Sequence, residues 1–222
     1  MKQTILKYSS LLALIGSPFF TTQTSAAIMY ECATGTSPAE GCTIDVSDTT
    51  YTLTGDVSST SLNNVIEFGF NANSNTLNFI GNVTTEGLDA NAFVVGGGES
   101  NTLLINGNIV TSGRSATGIW LDSGGSKTTT TLTGNISTSG TDAYGVYILT
   151  SNDNTTSITG NVATTGEDAD ALKISGGDRN TINVVGDISA TNGGGFYIDL
   201  SDENTINVTG NTTVGGSSDS AF

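Results

Sequence analysis

Apolar and polar residues alternate along this chain in short runs, and the same arrangement of runs returns at an interval of about 26 residues. One apolar residue lies two positions after a glycine, and an apolar pair separated by one residue lies near the middle of the repeat. Another apolar residue lies two positions before the next glycine. Alternation over a few positions is typical of a strand with one buried face. Each repeat therefore predicts three short strands.

Glycines mark the repeat at a nearly constant interval, which is typical of stacked structural units. The anchor glycines are Gly55, Gly81, Gly107, Gly134, Gly160, Gly186 and Gly210. The aliphatic residues two positions after them form the column Val57, Val83, Ile109, Ile136, Val162 and Ile188. No segment has helical periodicity, and 29 glycines disfavour helix. The sequence predicts an all-β, right-handed parallel β-helix of about seven coils with three strands each.

Polar residues recur at fixed offsets too. Directly after the anchor glycines come Asp56, Asn82, Asn108, Asn135, Asn161, Asp187 and Asn211. Six positions before them come Asn75, Asn101, Asn154, Asn180 and Asn204. Stacked amides can hydrogen-bond along the axis, so we expect two asparagine ladders at corners of the coil. Inner glycines, represented by Gly87 and Gly113, indicate either a positive φ angle or a close approach between coils.

Residues 1–27 have the pattern of a secretory signal peptide. Lys2 and Lys7 precede an apolar run from Leu11 to Phe20, and small residues end the segment at Ala27. The apolar run is too short to cross a bilayer. The sequence therefore predicts that the chain is exported.

Two cysteines follow the predicted signal peptide, and an even number of cysteines in an oxidising compartment favours one disulfide. We predict an N-terminal cap over residues 28–50 that is closed by a bridge between Cys32 and Cys42; two unpaired thiols are the alternative. The β-helix repeats are expected over residues 51–214, and a tail or truncation point over residues 215–222.

The charge composition excludes several classes of function. With 6 basic against 21 acidic residues, the chain has too few cations to bind a nucleic acid. It has no histidine, which excludes a Ser-His-Asp site, and zinc would have to rely on the two cysteines. The acids Glu167, Asp168 and Asp170 are expected to be solvated rather than to hold calcium. We predict no catalytic residue, cofactor or metal.

One outward column of the predicted middle strands is the candidate binding surface. It consists of Glu67, Val94, Trp120, Tyr147, Lys173 and Tyr197 on consecutive coils. Neighbouring aromatic rings on a sheet can stack on a sugar or anchor a protein partner. The alternative is that these side chains only pack across coils and stabilise the sheet, or are covered by a loop. We therefore take Trp120, Tyr147, Lys173 and Tyr197 as candidate partner-binding residues.

The segments Ser137–Tyr147 and Gly113–Ile119 resemble the repeats of bacterial autotransporter passenger domains, in which Thr-x-Gly-x-x-Ala-x-Gly precedes an aliphatic residue. This resemblance implies display on the surface of a Gram-negative bacterium, where an adhesin or structural stalk would bind a protein or glycan of a host or neighbouring cell. It also implies an outer-membrane β-barrel translocator. No such segment precedes Phe222, so we expect a fragment of a longer passenger. A carbohydrate-active β-helix lyase or hydrolase is the alternative function.

Overall fold

Three parallel sheets of seven strands each form the molecule. The structure, a computed structural model, describes residues 42–60, 62 and 64–216. Within these residues there are 21 strands and no helix, and each strand pairs in parallel with the equivalent strand of every adjacent coil. The prediction of a parallel β-solenoid with about seven coils and three strands per coil is confirmed. The predicted signal peptide and Cys32 lie outside the described residues.

Sheet A contains the middle strand of each repeat and carries the candidate binding surface. Its strands are β1 (Cys42–Ile44), β4 (Ile66–Phe68), β7 (Phe93–Val95), β10 (Ile119–Leu121), β13 (Val146–Leu149), β16 (Leu172–Ser175) and β19 (Phe196–Asp199). Strand β1 pairs with β4, so the first coil already begins within the residues assigned to the cap.

Sheets B and C complete each coil. Sheet B contains β2 (Thr50–Thr54), β5 (Thr76–Ile80), β8 (Thr102–Asn106), β11 (Thr129–Thr133), β14 (Thr155–Thr159), β17 (Thr181–Val185) and β20 (Thr205–Thr209). Sheet C contains β3 (Val57–Ser59), β6 (Val83–Thr85), β9 (Ile109–Thr111), β12 (Ile136–Thr138), β15 (Val162–Glu167), β18 (Ile188–Asn192) and β21 (Thr212–Val214). No helix among the described residues is long and apolar enough to span a membrane.

The core is a stack of aliphatic side chains along the solenoid axis. The column from Val57 to Ile188 is in direct register from coil to coil, and its members are at most 3% exposed. The rings of Phe79 and Phe93 meet edge to face, with centroids 5.4 Å apart. In the last described coil the inward residues Ile206 and Val208 are only partly buried. The interior is therefore shared by all coils, as the apolar pattern predicts.

The anchor glycines and the inner glycines are required for different structural reasons. Gly107 has a φ of +153°, and a Cβ there would overlap the carbonyl oxygen of Gly81 on the previous coil. Gly113 has no φ in the left-handed region, yet a Cβ there would overlap the carbonyl oxygen of Gly87. Of the two explanations for the inner glycines, the close approach between coils is therefore the correct one.

Both predicted asparagine ladders are present, and they differ in exposure. In the exposed ladder the backbone N–H of Asn108 donates to Oδ1 of Asn82 at 2.9 Å. In the buried ladder the backbone N–H of Asn75 donates to Oδ1 of Asn101 at 3.0 Å. The amide of Asn75 also donates to the carbonyl of Val46, at 2.6 Å. The buried ladder thus ties each corner to the coil before it.

Candidate functional site

The predicted outward column lies on sheet A in consecutive register. Trp120 pairs with Val94 on one side and with Tyr147 on the other, and Lys173 joins Tyr147 to Tyr197. The side chains of Trp120, Tyr147 and Lys173 point outward because their strand neighbours on both sides, such as Ile119 and Leu121, are fully buried. Tyr197 lies in the last strand of the sheet, where the neighbouring Ile198 is itself 49% exposed. The four candidate residues therefore share one strip of surface, the aromatic strip, that follows the solenoid axis.

Aromatic rings are in contact along this strip. The rings of Trp120 and Tyr147 are nearly parallel, with an angle of 13° between them and centroids 6.0 Å apart. Tyr144, in the turn before β13, places its ring 5.1 Å from that of Tyr147 at a tilt of 59°. Packing across coils, the alternative for these residues, is thus real. It leaves the rings of Trp120, Tyr144 and Tyr147 partly exposed.

Lys173 lies among three tyrosine rings. Its Nζ is 4.3 Å from the ring centroid of Tyr144, 4.9 Å from that of Tyr197 and 5.6 Å from that of Tyr147. It also donates a hydrogen bond to the hydroxyl of Tyr144 at 2.9 Å and lies 4.0 Å from the carboxylate of Asp170. A cation held over several rings fixes their positions relative to one another.

Electrostatics favour the charged form of Lys173 and the neutral form of Tyr147. Burial by itself would lower the pKa of Lys173, but the hydrogen bond and charge interaction with Tyr144 and the nearby Asp170 outweigh it and raise the pKa. Burial raises the pKa of Tyr147, and the charge of Lys173 offsets only part of that rise. Both shifts move titration further from neutral pH.

The indole N–H of Trp120 is buried and has no acceptor among the described residues. An indole nitrogen can only donate, and a buried donor without an acceptor costs roughly 1–3 kcal/mol. The unpaired donor belongs to the same side chain that forms the aromatic surface.

A groove runs beside the aromatic strip, with a volume of about 330 Å³. Its lining consists of Asp89, Asn91, Ser115, Thr117, Trp120, Asp142, Tyr144 and Tyr147. Asp89, Ser115 and Asp142 occupy the same turn position on three consecutive coils, with φ angles of +57°, +56° and +55°. One wall of the groove is thus aromatic, and the other carries hydroxyl and carboxylate groups.

The two carboxylates of the polar wall have different surroundings. Arg114 approaches the carboxylate of Asp142 to 3.9 Å, and both side chains are exposed, so this pair contributes little to stability. The carboxylate of Asp89 has no ion pair or side-chain hydrogen bond within the described part of the chain. At least one acceptor group in the groove is therefore free to bind a ligand.

Sequence patterns located the strip but missed the groove. Tyr144, Asp89 and Asp142 lie in turns, where strand alternation does not tell which way a side chain points. A usable signal was present, because Asn91, Thr117, Tyr144 and Asp170 follow one another at the interval of the repeat and hence form a column of their own.

The sequence predicts that Glu167, Asp168 and Asp170 are all solvated, but only two of the three are. Asp170 is only 7% exposed, and its carboxylate accepts a hydrogen bond from the backbone N–H of Gly194 at 2.7 Å. Glu167 and Asp168 are exposed, as expected. The prediction was wrong for Asp170 because this position, like Asn91 and Thr117 at the same point of earlier coils, is covered by the neighbouring coil. Within the described residues, no group of three or more His, Cys, Asp or Glu side chains could hold a metal ion.

The predicted disulfide can be followed only at one end. Cys42 begins β1, is 3% exposed and is not a free thiol, since the described part of the chain contains no free cysteine. Its predicted partner Cys32 lies outside the described residues, so the bridge between them stays a prediction.

Comparison with known proteins identifies a family to which this chain is similar. Residues 23–219 match the model of the family described as periplasmic copper-binding protein (NosD). No curated protein and no solved structure matches the chain. The likeness to autotransporter passengers therefore rests on the repeat motifs alone. Because the match extends over most of the 222 residues, the chain belongs to the NosD family.

Proposed function

We propose that this protein is an exported, non-catalytic β-solenoid of the cell envelope that binds a glycan through the aromatic strip and the adjoining groove. The observation that carries the proposal is the nearly parallel pair of Trp120 and Tyr147 next to a groove lined with hydroxyl and carboxylate groups. The pattern of residues 1–27 and the periplasmic description of the family support export. Display on the cell surface, as an adhesin or stalk, is the further step implied by the passenger-like repeats.

A sugar fits both walls of this groove. The apolar face of a pyranose ring can stack on an indole or phenol ring, which buries area while few rotamers are frozen. Its hydroxyl groups can bond to the side chains of Ser115 and Thr117 and to the carboxylate of Asp89. About 330 Å³ lies at the lower end of ligand-site volumes, which suits one or two sugar units.

Binding without catalysis is the better proposal because the acids of the groove are not arranged as a hydrolytic pair. The side chains of Asp89 and Asp142 are exposed to solvent. In a hydrolytic pair one carboxyl lies in an apolar pocket that keeps it protonated so that it can act as the acid. Lysis of an acidic sugar would require a base near the substrate, and Lys173 is held by Tyr144 instead.

Copper, which the family description names, does not suit the donors of this chain. Copper sites in proteins are built from imidazole, thiolate and thioether groups, and the chain has no histidine. Cys42 is buried and not free, and the structure shows no cluster of ligating side chains within the residues it describes. The two methionines, Met1 and Met29, lie outside those residues. The proposed function therefore includes no metal.

The proposal is tested by titrating the full exported chain with oligosaccharides of glucose, N-acetylglucosamine and galacturonate, using calorimetry. In the double variant Trp120→Ser/Tyr147→Ser we expect affinity for the bound oligosaccharide to fall at least tenfold, because the stacking surface is removed. Leu104→Ser, a change to an exposed apolar residue on sheet B, is the matched control and should bind like the parent.

Circular dichroism must show the same β-structure in all three proteins. Failure of the parent to bind any of the oligosaccharides, or equal binding by parent and double variant, would overturn the proposal. New reducing ends or unsaturated products would establish the alternative function of a carbohydrate-active enzyme.

A further inference from the structure

The outer surface of sheet B has a composition unlike the rest of the molecule. Each of its seven strands has three outward positions, the first, third and fifth, and we name this set of 21 positions the threonine face. The first position is threonine in every strand, in direct register: Thr50, Thr76, Thr102, Thr129, Thr155, Thr181 and Thr205. The remaining positions carry Thr, Ser, Asn, Ile, Leu and Val.

None of these 21 described positions carries a charge, although the chain has 27 charged residues. The central outward positions of sheet C are likewise Ser, Thr, Val and Ala. Charged residues of the described part lie on sheet A or in the turns on either side of it, except Asp56 and Asp187 between sheets B and C and Glu167 at the end of β15. The solenoid therefore has one strongly charged side and one neutral side.

The fold itself does not require a neutral face. Sheet A has the same parallel geometry and accommodates Glu67 and Lys173 at outward positions. The threonine face even leaves aliphatic side chains in water, with Ile80 52%, Leu104 40% and Val185 55% exposed. A flat, neutral and partly apolar sheet surface on an acidic protein is a feature that a binding partner would explain.

We propose that the threonine face packs against the same face of a second copy of this chain. The formal net charge of −15 makes two copies repel each other in most orientations. Contact through the neutral faces turns the charged sides away from each other. The two sheets would then be about 10 Å apart, and the outward charges of sheet A lie on the far side of each solenoid, beyond the roughly 8 Å over which salt screens charges. The charged turns that border the threonine face include two ion pairs, Lys127 with Glu99 and Arg179 with Asp153, which partly neutralise that edge. Threonine, serine and asparagine rows can interdigitate across such an interface.

The size of the face sets the strength of this association. Seven strands at about 4.8 Å by five residues at about 3.3 Å give roughly 550 Å² for each copy, or roughly 1,100 Å² for the pair. Stable interfaces bury about 1,200–2,000 Å² in total, so this contact falls just below their range. We therefore expect a symmetric dimer that dissociates readily, with a dissociation constant on the order of 100 μM.

Sedimentation velocity of the full exported chain over a concentration series of about 5 μM to 1 mM tests the proposal directly. The weight-average mass of the parent should rise towards twice the monomer mass. Thr131→Asp places a carboxylate at the centre of the threonine face, in the fourth of the seven strands, and should raise the dissociation constant at least tenfold. Ser175→Asp adds the same charge at an outward position of sheet A and should associate like the parent.

Leu104→Asp provides a second variant on the same face, so that the result does not depend on one position. Thermal unfolding must show that all variants are folded. A parent that remains monomeric to 1 mM (about ten times the expected dissociation constant), or variants of the threonine face that dimerise as the parent does, would overturn the proposal. These outcomes are independent of glycan binding, which is measured on sheet A.

Discussion

The two asparagine ladders allow the contribution of a buried hydrogen-bonded amide to be measured against an exposed one in the same coils. The substitution Asn101→Ala removes a member of the buried ladder, which is 1% exposed. Oδ1 of Asn101 accepts from the backbone N–H of Asn75 at 3.0 Å and from its side-chain amide at 3.3 Å, while Nδ2 donates to the carbonyl of Ala72. Alanine leaves the N–H of Asn75 and the carbonyl of Ala72 without partners.

The expected loss follows from the number of groups left unpaired. Each buried polar group without a partner costs roughly 1–3 kcal/mol, so two groups predict a fall in the free energy of unfolding of roughly 2–6 kcal/mol. Asn108→Ala is the matched control. Its Oδ1 accepts equivalent bonds from the backbone and side-chain amides of Asn135, at 2.9 Å and 3.1 Å, but this corner is exposed. Water can replace the lost partner there, so the expected loss is about 0.5–1.5 kcal/mol.

Urea unfolding followed by circular dichroism gives both free energies, provided that each protein unfolds in a single transition with the same dependence on urea concentration. Equal losses for the two variants, or a loss below about 1 kcal/mol for Asn101→Ala, would refute the reasoning that burial sets the cost. The sequence already agrees with it in one respect. Aspartate replaces asparagine at Asp56 and Asp187 in the exposed ladder, where a carboxylate need only accept.

Two further predictions concern the core and the groove. The hydroxyls of Thr130 and Thr156 are buried on adjacent coils without partners, so Thr130→Val or Thr156→Val should raise the free energy of unfolding in urea by about 1 kcal/mol. The control Thr111→Val removes a bond to the carbonyl of Ala116 and should lower that free energy by a similar amount. A loss of stability in either of the first two variants would contradict this reasoning. The double variant Asp89→Asn/Asp142→Asn should bind oligogalacturonate about fivefold more tightly in calorimetry, because about 1 kcal/mol of repulsion from the two carboxylates together is removed. Unchanged affinity would show that these acids do not select the ligand.

The repeating parts of the structure could be predicted from the sequence because stacking amplifies them. A single valine two residues after a glycine says little, but a column from Val57 to Ile188 has one explanation, which is a shared interior. The same holds for the ladders, since an amide can bond to an identical amide only at the spacing of adjacent strands. The columns therefore report register directly, and the register of sheet A placed Trp120 beside Tyr147.

The groove could not be predicted in this way because it depends on turn residues that change from coil to coil. The position held by Asn91 is threonine at 117, tyrosine at 144 and aspartate at 170. Asn91 and Asp170 both accept a bond from the backbone N–H of the equivalent residue on the next coil, Thr117 and Gly194, whereas the ring of Tyr144 packs on the aromatic strip. Only contacts between coils decide the directions of these side chains, and such contacts have no signature in a single repeat.

The position of Lys173 bears on how the proposed ligand would bind, because it holds the rings of the strip in place beforehand. A lysine on an open sheet would extend into water, yet Nζ lies close to the faces of three tyrosine rings and bonds to the hydroxyl of Tyr144. Because its pKa is raised in the folded state, the stabilisation it supplies is fully present below the pKa of an unfolded lysine and is lost only as pH rises through the folded value. At neutral pH the rings of Tyr144 and Tyr147 are thus already held in place by the cation. A ligand that stacks on them has less conformational freedom to remove, and more of the stacking energy appears as affinity.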